Sequence, residues 1–233
     1  MLGFTKSAAA KLRSVVDPAR SIKCRRKFLR FFPKGFADEK YWHWERGYKW
    51  RAHERWLELL SKKQFEDLLQ AENYTEIGSR ALRTLSGTNL IFSFESMALR
   101  DALKTEEGSE LFAIGLYQFI YGNGSMPTKF RAWCDSVARL PKKQSRVLTH
   151  PVATVFGFLA KPGKHIFLKP TVTKRAAEAY GFDFHYTSKP SWETYSSLLE
   201  FAAVISDDLA DLRPKDMIDI QSFIWVMGSD EYS

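Results

Sequence analysis

The sequence predicts a mainly α fold: a single helical domain over residues 36–233, with a small β-hairpin or irregular Pro-rich insertion and a basic N-terminal arm over residues 1–35. Three observations carry that expectation. Apolar residues recur at spacings of three and four in six segments. Those segments are bounded by Ser, Thr, Gly or Pro where caps and stops belong. Hydrophobic residues make up 45% of the 233 and charged residues 27%, which is enough apolar material to bury a core.

In chain order, Phe28, Leu29, Phe31 and Phe32 are placed to dock the end of the arm, with Pro33-Lys34-Gly35 breaking the chain after them. Tyr41, Trp44, Tyr48, Ala52, Trp56 and Leu59 form one apolar stripe on a helix from Asp38 to about Leu60. Ser61 and Gln64 read as a capping box opening a short helix with Phe65, Leu68 and Leu69 inward. Thr75 to Leu85 is helical and closed by Gly87, and Asn89 to Lys104 follows with Leu90, Phe94, Met97 and Ala98 on one face. Ser109 and Thr128 are candidate caps for helices through Phe119 and Trp133, the second stopped by Pro141.

Residues 141–170 then carry four prolines. Val152 to Leu159 and Ile166 to Leu168 are short apolar runs, consistent with two strands joined through Lys161-Pro162-Gly163-Lys164. Helical signals resume from Thr173 to Tyr180, ending at Gly181, and again from Ser191 to Leu212. Pro214 stands where a last helix through Phe223 and Trp225 would start.

The segment His150-Pro151, Thr154, Phe158, Pro162, His165, Phe167-Leu168-Lys169-Pro170, then Tyr186, Trp192, Tyr195 and Arg213-Pro214-Lys215-Asp216 to Trp225 resembles a bacterial family of uncharacterised proteins with no assigned activity. The likeness covers the C-terminal half. It implies a bacterial, cytoplasmic protein, and so argues against reading the Arg-, Ala- and Ser-containing first 35 residues as an organellar transit peptide. It supplies no catalytic residues.

Composition limits the chemistry. Two cysteines exclude a disulfide scaffold and a four-thiolate zinc site, and no apolar run approaches the roughly 20 residues needed to cross a bilayer. No Gly-rich phosphate loop and no other cofactor motif is present; Gly122-Asn123-Gly124-Ser125 is a turn signal. His43 and His53 lie ten residues apart, about 15 Å along one helix, too far to share a metal ion. Cys134, beside Trp133, reads as a buried inert thiol. Cys24, among Arg25, Arg26 and Lys27, is expected to have a lowered pKa and to be oxidisable, although an incidental arm cysteine is the plainer reading. Asp207, Asp208, Asp211, Asp216 and Asp219 are the one carboxylate cluster; Asp216 and Asp219, three apart, could hold a divalent metal, but acids at helix ends are ordinarily solvated.

Charge is the strongest functional signal. Residues 1–35 carry ten Lys and Arg against one acid, and residues 136–177 carry nine against none. Residues 178–233, by contrast, hold three bases and 11 acids. Such asymmetry concerns partners rather than fold. Arg25, Arg26, Lys27 and Arg30 in the first block, and Lys142, Lys143, Arg146, Lys161, Lys164, Lys169, Lys174 and Arg175 in the second, are the expected phosphate contacts. His165, His185, Tyr186 and Trp192 could add stacking or polar contacts. The expectation is an accessory protein that binds nucleic acid without its own catalysis, a cofactor, a metal or a membrane. The alternatives are a metal-dependent enzyme acting on nucleic acid through Asp216 and Asp219, or an assembly subunit that meets a protein partner through its acidic C-terminal region.

Overall fold

The computed structural model describes residues 16–143 and 145–233. Among these residues the fold is mainly α, as the apolar spacing predicts, and no strand occurs. The described residues fall into two compact units. Unit 1 contains the described residues up to Gly47 together with Pro162–Ser188 and Glu193–Ser233; unit 2 contains Tyr48–Lys161 and Lys189–Trp192.

Unit 1 begins with α1 (Pro18–Phe31), where Asp17 accepts a hydrogen bond from the Ala19 amide and Pro18 fills the first helical position. Residues 18–31 of the expected arm are thus helical, with Cys24 and Phe28 buried, and unit 1 runs through the expected boundary at residue 35. The Phe28 ring lies 5.3 Å from Phe32, 5.0 Å from Phe36 and 5.3 Å from Phe223. Residues 1–15 of the arm lie outside the described residues. After a single turn at Glu39–Tyr41 comes a π-helical segment, Trp42–Arg46, which leads into α2 (Gly47–Leu60).

That segment changes the stripe. A straight α-helix would set Trp44 under Tyr41, but the wider π turn brings Glu45 and Arg46 inward and leaves Trp44 53% exposed. Tyr41, Ala52 and Trp56 are buried as expected; Trp44 is not.

Unit 2 continues with α3 (Lys62–Gln70), opened by the expected capping box: the Ser61 amide donates to Gln64 Oε1 at 3.0 Å. It also holds α4 (Tyr74–Thr84), α5 (Ser93–Ala102), α6 (Glu106–Ile120), α7 (Met126–Arg139) and α8 (His150–Ala160). On α5 the inward face is Glu95, Leu99 and Ala102, so Phe94 and Met97 are exposed rather than inward. Thr105 and Ser125, not Ser109 and Thr128, cap α6 and α7. Phe112 packs edge-on to Trp133 and Phe156, and Trp133 Nε1 donates to the Ala153 carbonyl at 2.9 Å.

The expected hairpin is absent. Val152 to Leu159 lies inside α8, which Thr149 caps and which carries Pro151 in its first turn. Every residue of α8 is buried, and beyond His150 and Thr154 they are apolar, so its sequence reads like a buried strand. Ile166, Phe167 and Leu168 are buried without regular structure.

The rest of unit 1 is α9 (Pro170–Tyr180), α10 (Trp192–Asp208, of which Trp192 belongs to unit 2) and α11 (Met217–Gly228). Gly181 ends α9 at φ +77°, a conformation that favours glycine. The last helix starts at Met217 with Asp216 as its cap, not at Pro214. At Gly228 the backbone of α11 passes so close to the Val172 carbonyl that a Cβ would collide with it, so only glycine lets α9 and α11 pack this tightly.

Candidate functional site

Two features of unit 1 concern function: a buried ionic cluster and a basic cleft.

The cluster joins the π segment to α11. Arg46 donates from Nη1 to Asp216 Oδ1 at 2.9 Å and from Nη2 to Asp216 Oδ2 at 2.7 Å, while Nη1 also reaches Asp219 Oδ1 at 2.6 Å. The Tyr41 hydroxyl donates to the same Asp219 oxygen at 2.6 Å, and the Lys215 amide donates to Asp219 Oδ2 at 2.7 Å. Burial alone would lower the Arg46 pKa; the two carboxylates outweigh it and leave the guanidinium raised. Burial, then the Asp219 charge, pushes the Tyr41 hydroxyl well up. All four carboxylate oxygens of the proposed metal pair therefore accept hydrogen bonds from Arg46, Tyr41 or the backbone. Among the described residues no group of three or more His, Cys, Asp or Glu is arranged to hold a metal. His43 is exposed 3.9 Å from Glu39, and His53 Nδ1 meets the Leu159 carbonyl at 2.6 Å.

The cleft has a volume of about 540 Å³. Arg20, Lys23, Cys24 and Lys27 of α1, Arg175, Glu178 and Ala179 of α9, and Met227 of α11 line it. Positions 20, 23 and 27 share one face of a helix because they are three and four apart. The fold thereby brings cations of the two basic blocks, distant in sequence, to one concavity. Arg20 donates to the Glu178 carbonyl at 3.2 Å, and Arg175 pairs with Asp230 at 2.8 Å at the surface. Burial lowers the Lys27 pKa, and the nearby Arg30 charge acts in the same direction. Arg20 and Lys23 were not among the expected contacts, although their spacing from Lys27 was visible in the sequence.

The twelve expected residues divide by role. Arg26, Arg30, Lys164, Lys174 and Arg175 are exposed on unit 1; Lys142, Lys143 and Arg146 are exposed on unit 2, between α7 and α8. Lys169 lies 4.8 Å from the Trp225 ring and Lys174 4.8 Å from Tyr186. Besides Arg175, which pairs with Asp230 at the surface, two more of these cations are held by the protein itself. Arg25 makes a bidentate pair with Asp211 at 2.7 and 2.5 Å, and Lys161 donates to the Ile120 carbonyl at 2.7 Å while lying over Tyr121. Of the expected stacking residues, His165 is buried against the Tyr195 hydroxyl and Trp192 packs edge-on to Phe130; His185 is exposed beside Asp183.

The acidic C-terminal region is partly neutralised within unit 1, where Asp211 meets Arg25, Asp216 and Asp219 meet Arg46, and Asp230 meets Arg175. Cys24 departs from expectation. Burial pushes its thiol up to about 11 against the opposing charges of Lys27 and Lys23, so it is less ionised than an ordinary cysteine, not more. Basic neighbours in sequence could not show that burial outweighs them. Cys134 is likewise buried, its thiol pushed up to about 12 by burial.

No helix among the described residues is long and apolar enough to cross a membrane. Compared with protein-family models, curated proteins and solved structures, the chain finds no match.

Proposed function

We propose that the protein is a cytoplasmic accessory protein that binds nucleic acid through unit 1, with no chemistry of its own. One observation carries this reading: Arg20, Lys23 and Lys27 of one basic block and Arg175 of the other line a single cleft. Four cations around one concavity attract a phosphate backbone and gain from the counterions it releases. The surface cations Arg26 and Arg30 continue the same charge along α1, and Lys142, Lys143 and Arg146 supply a second basic surface on unit 2. Phosphate contacts of this kind position a strand without specifying its sequence.

The test is a salt titration of binding to labelled oligonucleotides by fluorescence anisotropy. The parent should lose affinity with a slope near −0.9 per contacted phosphate on a duplex, or about −0.7 on a single strand. Lys23→Glu with Arg175→Glu should flatten that slope, and Lys142→Glu with Lys143→Glu and Arg146→Glu reports separately on the second surface. Lys161→Ala is the control: its amine is tied to Ile120 and Tyr121, so stability falls while the slope stays. An unchanged slope in the Lys23/Arg175 variant removes the cleft from the reading, and a parent that binds nothing at low salt ends it.

A further inference from the structure

We propose that unit 1 is built for single-stranded rather than duplex nucleic acid, with Trp44 as a platform on which one unstacked base lies. The inference rests on the phosphate-binding reading above and adds the part of the ligand that the cations do not touch.

Arg20, Lys23, Lys27 and Arg30 recur at spacings of three, four and three on α1, so they share one face and span about 15 Å. The first three line the cleft. At the C-terminal end of this face the chemistry changes from cationic to aromatic. Arg30 lies 5.0 Å from the Phe31 ring, Phe31 packs edge-on to Tyr232 at 5.0 Å, and Tyr232 lies 6.5 Å from Trp44. The basic face thus ends against an aromatic cluster, whose buried member Tyr232 in turn supports the exposed indole of Trp44.

Trp44 has the features of a platform. Its ring is 53% exposed, although tryptophan is usually well covered. It is held in place by Phe32, edge-on at 6.3 Å, as well as by Tyr232. One face carries the Lys40 ammonium at 4.0 Å. A cation over a π-face is exchangeable at the surface, and an arriving base can take that face while the ammonium turns to the adjoining phosphate. The π-helical segment is what creates this arrangement, because it turns Arg46 into the interior and Trp44 out of it. In a duplex both faces of each base are already stacked on neighbours, so an indole platform favours a strand whose bases are free.

The probes are a labelled twelve-nucleotide oligo-dT, the matching oligo-U and the dA·dT duplex of the same length, each titrated with the full chain. Trp44→Leu keeps an apolar side chain but removes the aromatic face; Trp44→Phe keeps a smaller one. If Trp44 is the platform, Trp44→Leu should weaken oligo-dT about tenfold with an unchanged salt slope and leave the duplex unaffected. Trp44→Phe should retain most of the affinity, and the tryptophan quenching that oligo-dT causes in the parent should diminish in it. Comparable losses on oligo-U extend the proposal to RNA, whereas a loss on oligo-dT alone confines it to DNA strands. Parent-like oligo-dT binding by Trp44→Leu, or equal losses on strand and duplex, overturns the platform while leaving the cationic cleft in place. A parent that binds none of the three probes overturns the phosphate-binding reading itself, and this proposal with it.

Discussion

Arg46 and Asp219 form a charge-assisted hydrogen bond of 2.6 Å whose two side chains are 4% and 1% exposed. A pair this deeply buried is costly to break, because removing one partner leaves an uncompensated charge in a medium of low dielectric. Arg46→Met would strand both Asp219 and Asp216. It should cost about 3–5 kcal/mol, visible as a large fall in the urea midpoint. Tyr41→Phe removes only one donor to the same carboxylate and should cost about 1–3 kcal/mol. Equal losses in the two variants would show that Arg46 is not the hub of the cluster.

Trp44, inside the π segment, and Trp56, beyond it on α2, should respond differently. Trp56 is fully buried, lies 6.3 Å from Phe156 and donates from Nε1 to the Tyr121 hydroxyl at 3.2 Å. Trp56→Ala should therefore lose about 3–5 kcal/mol through the cavity it leaves. Trp44→Ala, at a half-exposed position, should lose about 1 kcal/mol or less. Chemical denaturation of the two variants under one set of conditions checks the ranking, and a Trp44 loss as large as that of Trp56 contradicts the register.

Both thiols should be inert in the native protein. Cys24, raised to about 11, and Cys134, raised to about 12, stay protonated at neutral pH and are buried. A colourless-to-yellow disulfide exchange reagent at pH 8 should label neither until denaturant is added. The folded pKa lies above the ordinary 9.0, so the unfolded chain ionises first as pH rises. The thiols' contribution is complete below pH 9 and is lost as pH rises through about 11 and 12, which makes the protein less stable in alkali. Rapid native labelling at pH 8 is the result that contradicts this.

Where local chemistry decides structure, the sequence is informative. Ser61 and Gln64 form their box, Gly181 ends its helix, and Phe130, Trp133 and Val137 face inward, because caps, stops and spacing act over a few residues. The errors arise where tertiary context decides between two local readings. In α5, Phe94 with Met97 and Glu95 with Leu99 are both legitimate helical stripes, and the fold buries the second. In α8 all faces are buried, so no period survives to distinguish helix from strand. The π segment rephases Trp44 and Arg46 without any residue that announces it. At the candidate site, the basic blocks are legible as charge. Which cations are committed to Asp211 or to the Ile120 carbonyl is a matter of pairing across distant segments, which spacing cannot show.

The discontinuity of unit 1 has a consequence for how the chain is made. Unit 2 is almost one uninterrupted stretch, Tyr48–Lys161, whereas α1 completes its core only against Phe223, near the other end of the chain. A ribosome adding about 5–20 residues per second reaches residue 223 roughly ten to forty seconds after residue 28. For that interval Phe28 is without Phe223 on α11, and for most of it the cationic face of α1 is without α9. Unit 2 can assemble while synthesis proceeds; unit 1 must await the last helices. The nascent N-terminal segment is thus a basic, aromatic-rich stretch in the cell before it is a folded surface, and it is during this window that premature association and proteolysis should concentrate.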